Sequence, residues 1–273
     1  MPDVIRILSD LHYGDRGSRI KSLPTLAPLL EGATSLVLNG DTLDTRPGPH
    51  PAATTALRVE VRQFFDHSAP PTTFLTGNHD PDFSAHHTLD LSGGQIFVTH
   101  GDIIFDDLVP WSQDAPVIRQ LLARELAALP PAARDELDAR LGVYRRVAAT
   151  IPQRHQSERN RLKYTLGFMK DTVWPPDRVL RVLGAWRRGP GLAANLTRRH
   201  RPAARFAIIG HIHHPGYWHR DGVTVLNTGS FCPPLGGCVI DVTPDHLALR
   251  RITEKRGELR LGRTVAEFAL APT

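Results

Sequence analysis

Residues 72–80 read Thr-Thr-Phe-Leu-Thr-Gly-Asn-His-Asp, a short apolar and partly β-branched run that stops at a glycine followed by three polar residues. A run of this kind is typical of a buried strand that enters a tight turn. The same pattern recurs along the chain, in the runs 4–8, 34–38, 96–98, 206–209 and 223–226. The recurrence predicts strands that each deliver polar side chains at their carboxyl end.

Between the early strands, leucines and aromatic residues recur at helical spacing. One set is Leu23, Leu26, Leu29 and Leu30, and the next is Leu57, Val61, Phe64 and Phe65. Alternating strands and helices indicate a largely parallel sheet. From residue 223 onward the strand-like runs 223–226, 237–242 and 247–252 follow one another without helices, as in a meander. We therefore predict an α/β fold (α+β by some schemes) with two mixed β-sheets packed as a sandwich and flanked by helices.

Residues 110–202 break this alternation and are rich in Ala, Leu and Arg. Helical patterns cover 118–129, 132–150 and 158–169, separated by prolines. We predict that residues 1–109 and 203–273 form the core and that 110–202 form a helical insertion, or lid. Between Arg119 and Arg205 there are 19 Arg and Lys against 7 Asp and Glu, whereas the whole chain carries +5. A basic surface attracts phosphorylated metabolites, nucleic acid or an acidic membrane, although a solvated helical surface that uses arginine is the simpler alternative.

The composition is that of an ordinary globular protein, with 41% hydrophobic and 22% charged residues. No apolar run approaches the ~20 residues that cross a bilayer, and residues 1–10 lack the pattern of a secretory signal. Cys232 and Cys238 are too few for a disulfide framework. We expect a cytoplasmic protein, with peripheral contact at the inner membrane face through the basic insertion as an alternative.

The polar residues at the strand ends are of the types that bind metals. Consecutive strand-like runs end in Asp10 and His12, Asp41, Asn78, His100, and His211 with His213. Open α/β sheets bind ligands just beyond the carboxyl ends of their strands, so these side chains are expected to meet at one rim of the sheet. They exceed the needs of one cation, and mixed carboxylate and imidazole donors favour Mn, Fe or Zn over Mg or Ca. We predict two divalent metal ions, with manganese favoured over iron or zinc.

The spacing of the donors supports a shared site. Alternate residues of an extended chain point the same way, so Asp10 can reach the same space as His12, and His211 the same space as His213. Gly40, Gly77, Gly101 and Gly210 stand at or near the donors, where a missing side chain lets the backbone turn closely. A lone Asp-x-His or Gly-His-x-His is weak evidence, but the ordered set is very hard to obtain by chance.

In these motifs the sequence resembles the calcineurin-like metallophosphoesterase superfamily. The matching pieces are Asp10-Leu-His12, Gly40-Asp41-Thr-Leu-Asp44, Gly77-Asn78-His79-Asp80, His100-Gly101-Asp102 and Gly210-His211-Ile-His213, within residues 4–102 and 206–243. The resemblance implies a β-sandwich flanked by helices. It implies one metal on Asp10, His12 and His213, and another on Asn78, His100 and His211, with Asp41 bridging both. It also implies that His79 acts as a catalytic residue that protonates or stabilises the leaving oxygen, and that Asp44 orients His79.

Two adjacent cations can polarise a phosphoryl group and turn a bound water into the attacking hydroxide. We therefore predict a phosphohydrolase that cleaves a phosphodiester or pyrophosphate bond. Arg16 is a candidate for gripping a phosphate, with an ordinary surface arginine as the alternative. Asn227 is a weaker candidate for substrate binding or for supporting the site. The additional imidazoles near the motifs are interpreted as loop or supporting residues: His86, His87, His214 and His219.

Within the superfamily, the opening Ser9-Asp10-Leu-His12 and the insertion after the His-Gly-Asp strand resemble the UDP-2,3-diacylglucosamine hydrolase group. That resemblance implies a nucleotide-linked lipid as substrate and a lid over acyl chains, with candidate contacts Leu166, Phe168, Met169, Trp174 and Trp186. The sequence departs from that group at His79, where its best-known members have Arg. Two other hypotheses are a metal-dependent nuclease that holds nucleic acid on the basic insertion and a scaffold without catalysis.

Overall fold

The computed structural model describes residues 3–153, 176–255 and 257–272. The helix predicted over 158–169 and the lid candidates Leu166, Phe168, Met169 and Trp174 lie outside these ranges. In chain order the strands are β1 (Ile5–Leu8), β2 (Ser35–Asn39), β3 (Thr72–Leu75), β4 (Thr88–Leu91), β5 (Ile96–Thr99), β6 (Phe206–Ile209), β7 (Gly216–Arg220), β8 (Val223–Asn227), β9 (Cys238–Val242), β10 (His246–Lys255) and β11 (Glu258–Ala269). The helices are α1 (Ala27–Leu30), α2 (Pro51–His67), α3 (Ala115–Ala127), α4 (Leu137–Ala148) and α5 (Pro176–His200).

The strands form two mixed sheets. The first has the order β11-β10-β9-β1-β2-β3 and the second the order β4-β5-β6-β8-β7. In the first sheet β1, β2 and β3 are parallel, and β9 joins β1 antiparallel. In the second sheet β5, β6 and β8 are parallel, with the antiparallel edge strands β4 and β7. Each sheet therefore contains three parallel strands, namely β1, β2 and β3 in the first sheet and β5, β6 and β8 in the second.

Alternating side chains of the strands bury both faces of each sheet. Ile7 of β1 packs between the sheets with Val98 and Ile208 of the second sheet. Its neighbour Leu8 points the other way and packs with Val61 and Phe65 of α2. This period-2 alternation places one hydrophobic core between the sheets and another beneath the helices. The predicted sandwich flanked by helices is confirmed.

The helices of residues 110–202 cover the outer face of the second sheet. Ala193 and Ala194 of α5 pack on Ala207 and Ile209 of β6, and these small side chains let the helix lie close to the strand. Helices α3 and α4 form a neighbouring cluster against Phe97 of β5. No helix within the described ranges has both the length and the apolar character required to cross a membrane.

Three departures from the sequence expectations have clear causes. The edge strands β4 and β7 and the long β11 were not anticipated, because exposed or one-sided strands do not read as short apolar runs. Helix α5 was missed because Gly184, Gly189, Pro190 and Gly191 interrupt its pattern. The expected terminal meander is divided, since β8 lies in the second sheet and β9 to β11 in the first.

Candidate metal centre

The predicted metal-binding residues meet where the carboxyl edges of the two sheets adjoin. The turns after β1, β2 and β3 come from the first sheet, and the turns after β5 and β6 come from the second. The expectation of one rim built from consecutive strands was wrong, because β4 intervenes along the chain and two sheets contribute. The convergence itself results from the parallel direction of the strands within each sheet.

One group of donors consists of Asp10, His12 and His213, whose ligand atoms all lie within 4.8 Å of one another. His213 Nε2 is 3.0 Å from Asp10 Oδ1. His12 Nε2 is 3.2 Å from His213 Nε2. A carboxylate and two imidazoles facing one point are a suitable donor set for a transition metal.

A second group consists of Asp41, His100 and His211, again with ligand atoms within 4.8 Å of one another. His100 Nε2 lies 3.3 Å from Asp41 Oδ2 and 3.3 Å from Asn78 Oδ1. Asn78 is buried, so its amide oxygen joins this group from the side of β3. These residues are the ones that the family resemblance assigns to the second metal, together with the bridging Asp41.

Asp41 connects the two groups. Its Oδ2 atom is 3.3 Å from His100 Nε2 in one group and 3.9 Å from His12 Nε2 in the other. Its Oδ1 atom accepts a hydrogen bond from the His79 backbone N–H at 2.8 Å. The carboxylate is therefore held by the turn after β3 while it faces both groups, as a bridging ligand requires.

At five of the seven predicted donors the backbone is left-handed rather than extended. Positive φ angles occur at Asp10 (53°), His12 (46°), Asp41 (52°), His211 (62°) and His213 (54°). Such conformations cost a non-glycine residue roughly 1–2 kcal/mol each and cluster at functional sites. The expectation that extended chain aligns Asp10 with His12 was therefore wrong, because tight turns bring these side chains together.

Two glycines are required by the close packing of the donors. A Cβ atom at Gly77 would collide with the Asp41 carboxylate, and one at Gly210 would collide with the Asp10 carboxylate. Both turns pass directly over a carboxylate, where a side chain has no room. At these two positions glycine is required because the backbone passes close to a carboxylate.

Backbone carbonyls orient the imidazoles. His100 Nδ1 donates to the Asn39 carbonyl at 2.9 Å, and His211 Nε2 donates to the Leu108 carbonyl at 2.8 Å. Each bond fixes one tautomer and leaves the opposite ring nitrogen for a metal. Asn227 has a related structural role, since its amide donates to the Gly210 carbonyl and accepts from the Gly229 N–H at 2.7 Å. Asn227 is fully buried and supports the turn before His211 instead of facing a substrate.

The electrostatics of the centre suit cations. Burial alone would raise the pKa of the carboxyls, yet His213 lowers the pKa of Asp10 and His100 holds that of Asp41 well below its usual range. In return, although burial opposes it, Asp41 raises the pKa of His100 to about 10. Two fully buried carboxylates thus create a negative electrostatic potential at the centre, and two divalent cations would be stabilised by that potential.

The buried imidazoles of His12 and His211 remain neutral, which is the form that binds metals. Burial, reinforced by His79, lowers the pKa of His12 to about 4. Burial, reinforced by His100, lowers the pKa of His211 to about 4. At neutral pH both rings therefore offer a lone pair, and the residues present fit a pair of cations.

His79 contacts Asp44 and also forms, with His12 and Asp41, a third group whose ligand atoms lie within 4.8 Å of one another. Its Nδ1 atom is 3.1 Å from Asp44 Oδ2, and its ring centroid is 4.9 Å from that of His12. Burial and Arg46 lower the pKa of His79, but Asp41 and Asp44 outweigh them and raise it above its ordinary value. The raised pKa favours the protonated imidazole near neutral pH, the form that can donate a proton.

Arg46 is a member of the site that the sequence did not reveal. Its guanidinium forms two hydrogen bonds to Asp44, at 3.0 and 2.7 Å, and places Nη2 2.8 Å from His79 Nδ1. Nδ1 carries at most one hydrogen, so it donates to Asp44 when protonated and accepts from Arg46 when not. The available signal was an arginine two residues after Asp44.

Asp80 was also missed, although the motif Gly77-Asn78-His79-Asp80 contains it. Its Oδ1 atom accepts from the backbone N–H groups of Gly77 and Asp41, and its Oδ2 atom accepts from that of Thr42. The carboxylate therefore fastens the turn after β2 to the turn after β3. Its buried position next to Asp41 raises its pKa to about 6.

The remaining candidates lie outside the two groups. Arg16 is exposed, and its backbone carbonyl accepts a hydrogen bond from Lys21 at 3.1 Å. The extra imidazoles contact other residues: His87 contacts Thr76, His214 stacks on Trp186, and His219 contacts Thr224. His86 is exposed. None of these side chains belongs to either donor group among the described residues.

A pocket with a volume of about 310 Å³ opens onto the centre. Its lining includes His12, His79 and His213. Residues 110–202 contribute Trp111, Arg178, Val182 and Trp186, and the loop before β9 contributes residues 233–235. Residues 110–202 thus reach the predicted centre through apolar side chains and one arginine.

Comparison with known proteins gave weak similarities of backbone only. No protein-family model and no curated protein matches the chain. The similar solved structures include vacuolar protein sorting 29 from Cryptosporidium parvum, with 12% identity and a TM-score of 0.44 over 98% of this chain and 99% of that chain. They also include a dimetal phosphatase from Danio rerio, with 12% identity and a TM-score of 0.45 over 100% of both chains. A protein of Streptococcus pneumoniae titled "predicted phosphoesterase" has 12% identity and a TM-score of 0.39 over 99% of both chains. Similarity at this level assigns no activity.

Proposed function

We propose that the protein is a dinuclear-metal-dependent phosphohydrolase that cleaves a phosphodiester or pyrophosphate bond. The observation that carries the proposal is the pair of donor groups joined by Asp41, with the imidazole of His79 in the lining of the adjoining pocket. His79 lies within ligand distance of His12 and Asp41, and we assign it to catalysis because the family resemblance implies that role. The motifs that resemble the calcineurin-like metallophosphoesterases supply these same residues.

Asp10, His12 and His213 would hold one cation, and Asn78, His100 and His211 the other, with Asp41 shared. Bound manganese, iron or zinc supplies Lewis-acid activation of the phosphoryl group and acidifies a water molecule. The protein contributes a fixed geometry, because the turns that carry the donors are tied together by hydrogen bonds. The His12 N–H donates to the Asp41 carbonyl at 2.9 Å, and the Asp10 N–H to the Gly40 carbonyl at 3.1 Å.

His79 is the residue that would deliver a proton to the leaving oxygen. Asp44 and Arg46 occupy its Nδ1 side, so Nε2 is the nitrogen that remains for the pocket. Its side chain is 29% exposed, which gives a substrate access to the ring. Asp44 and Arg46 position the imidazole and set its proton affinity in opposite directions.

A nucleotide-linked lipid at a membrane surface is the finer substrate that we propose to test. Its support is the exposed apolar side chains of α5, Leu180 (68% exposed) and Leu183 (49%), which lie next to Arg181 and Arg187. A basic helix with exposed leucines suits an anionic bilayer surface. Co-sedimentation with anionic but not neutral vesicles, lost in Leu180→Ser together with Leu183→Ser, would support this contact. Equal sedimentation of the two proteins would contradict it.

The test of the activity begins with removal of bound metal by a chelator. Manganese, iron, zinc or magnesium is then added, and release of p-nitrophenol from bis-p-nitrophenyl phosphate is measured beside metal content. We expect hydrolysis that depends on a transition metal. Comparison with the monoester, a nucleoside-diphosphate lipid and single-stranded DNA separates the substrate classes. Metal binding without hydrolysis of any of these substrates would favour the scaffold hypothesis.

A further inference from the structure

The pocket at the predicted metal centre has a chemically mixed lining. It includes the imidazoles of His12, His79 and His213, and an apolar part, called the apolar wall, made of Val182, Trp186, Ile212 and residues 233–235. The rest of the lining is Asp15, Gly17, Trp111, Arg178 and Cys232. A phosphoryl group bound at the imidazoles would bring one of its substituents within reach of the apolar wall.

Two tryptophans of the pocket lining are held in place by contacts within the protein. Trp186 Nε1 donates to the Ile212 carbonyl at 2.8 Å, and its indole stacks on His214 with centroids 4.8 Å apart and planes 27° apart. Trp111 lies 5.2 Å from the His211 ring, and its carbonyl accepts from Arg178 Nε at 2.8 Å. Ligands lose less free energy to ordering in such a preformed pocket.

The size and shape of the pocket restrict the substituent. Pockets for drug-sized ligands span roughly 300–1,000 Å³, so about 310 Å³ is at the small end. That volume suits one ring system better than a pair of long chains. Flat indole faces pack well against planar rings, and residues 233–235 add two prolines and a leucine to the surface.

We propose that the substrate is a phosphoester that carries one compact, planar, apolar group, seated on Val182, Trp186 and Leu235. The position of the phosphoryl group in this inference rests on the proposed function. An aryl group and a nucleobase are both flat and compact, and either would fit this description. The experiment below therefore compares the two substituents directly.

The first experiment compares p-nitrophenyl diesters that differ only in the second substituent, namely methyl, octyl, phenyl or thymidine 5′-yl. The leaving group is constant, so differences in kcat/KM report binding of the substituent. We expect phenyl or thymidine to exceed both methyl and octyl by at least about tenfold, the lower range for an apolar pocket contact. Preference for thymidine over phenyl would identify a nucleobase, and the reverse an aryl group. Equal values for phenyl and methyl, or a preference for octyl, would overturn the proposal.

A matched pair of variants locates the contact. Val182→Ala combined with Leu235→Ala should lower the ratio of phenyl to methyl kcat/KM by about tenfold. Val179→Ala is the control, because Val179 lies one turn earlier on α5, is 38% exposed and does not line the pocket. This control should keep the wild-type ratio. An unchanged ratio in the double variant, with folding verified by circular dichroism, would also overturn the proposal.

A binding measurement separates failure of this inference from failure of the proposed function. Calorimetric titration of phenylphosphonate and methylphosphonate into the protein with added manganese does not require turnover. Tighter binding of phenylphosphonate without hydrolysis of any diester would support the aromatic subsite and reject the phosphohydrolase. Hydrolysis of the diesters with equal binding of the two phosphonates would do the opposite.

Discussion

The edge where the two sheets meet and the helices of residues 110–202 contribute to the same pocket in different ways. At the sheet edge, buried carboxylates and imidazoles are held by backbone hydrogen bonds from several strand ends. The helices contribute apolar side chains, and one of their attachments is the buried ion pair of Arg145 with Asp102. Under the proposed function, the sheet edge would carry the chemistry, while the helices would shape what can approach it.

The sharpest test of this division is Asp41→Asn, for which we expect the largest effect. The amide can still accept the His79 N–H, but the negative charge shared by both donor groups is lost. Activity should fall by more than the about 10²–10⁴-fold expected for loss of a general acid. Metal content, measured by mass spectrometry, should fall as well.

Asp221→Asn is the matched control for that change. Asp221 is an exposed turn residue with a φ of 49°, a conformation that asparagine also adopts readily. Its replacement should leave metal content and activity at wild-type levels. If Asp41→Asn retained both metals and most of its activity, the sheet edge would not be the chemical centre.

His79→Ala tests the catalytic part of the edge without removing a predicted ligand. We expect a loss of ~10²–10⁴-fold in rate, the usual contribution of general acid–base catalysis, with metal content unchanged. His86→Ala is the control, because His86 lies in the segment that follows His79 and its side chain is exposed. Activity close to wild type in His79→Ala would remove His79 from the mechanism.

Much of the sheet edge could be predicted because its signals are local. Each strand that precedes a donor is a short, mostly apolar run, and each predicted donor follows within a few residues of a strand end, as at Asn78 after β3. Their grouping into two sets came from the family resemblance. The left-handed turns at Asp10 and His12 could not be predicted, since they depend on hydrogen bonds to the turn after β2.

Other features could not be predicted because they depend on distant partners. Nothing in the local sequence marks Arg46 or Asp80 as a member of the site. The fold places Arg46 against His79, and Asp80 against the turn after β2. The interrupted helix α5 packs its alanines on β6, a distant contact that no local pattern shows. Sequence patterns therefore predicted the donors better than the residues that hold them.

The attachment of the helices is tested by Arg145→Leu, which we expect to act on stability. Arg145 Nη2 lies 2.5 Å from Asp102 Oδ1, and both side chains are buried. Removing the cation leaves a buried carboxylate unpaired, at a cost of about 3–5 kcal/mol in the free energy of unfolding. Arg145→Leu with Asp102→Leu should recover much of this loss, because an apolar pair has no unpaired charge.

The pH dependence of this effect has a definite sign. Burial would raise the pKa of Asp102, but Arg145 and the nearby imidazoles lower it. The pair therefore stabilises the fold above the unfolded pKa of about 3.9, and this contribution is lost as the pH falls through the lower folded pKa. Denaturant titrations should show the gap between wild type and Arg145→Leu closing in acid. A gap that stays constant across this range would show that Arg145 contributes through packing.

The smallest effects are expected from the two groups that face His79 Nδ1, and here the sign matters more than the size. Arg46 lowers the pKa of His79 and Asp44 raises it. If His79 acts as the acid, Arg46→Gln should move the alkaline limb of the kcat profile to higher pH. Asp44→Asn should move it to lower pH, and each change should cost less rate than His79→Ala. Arg220→Gln is the control, because Arg220 is exposed on β7, where it donates to the His219 carbonyl, and its profile should match wild type. Shifts in the same direction for both variants would mean that the two side chains act on the turn geometry rather than on the proton of His79.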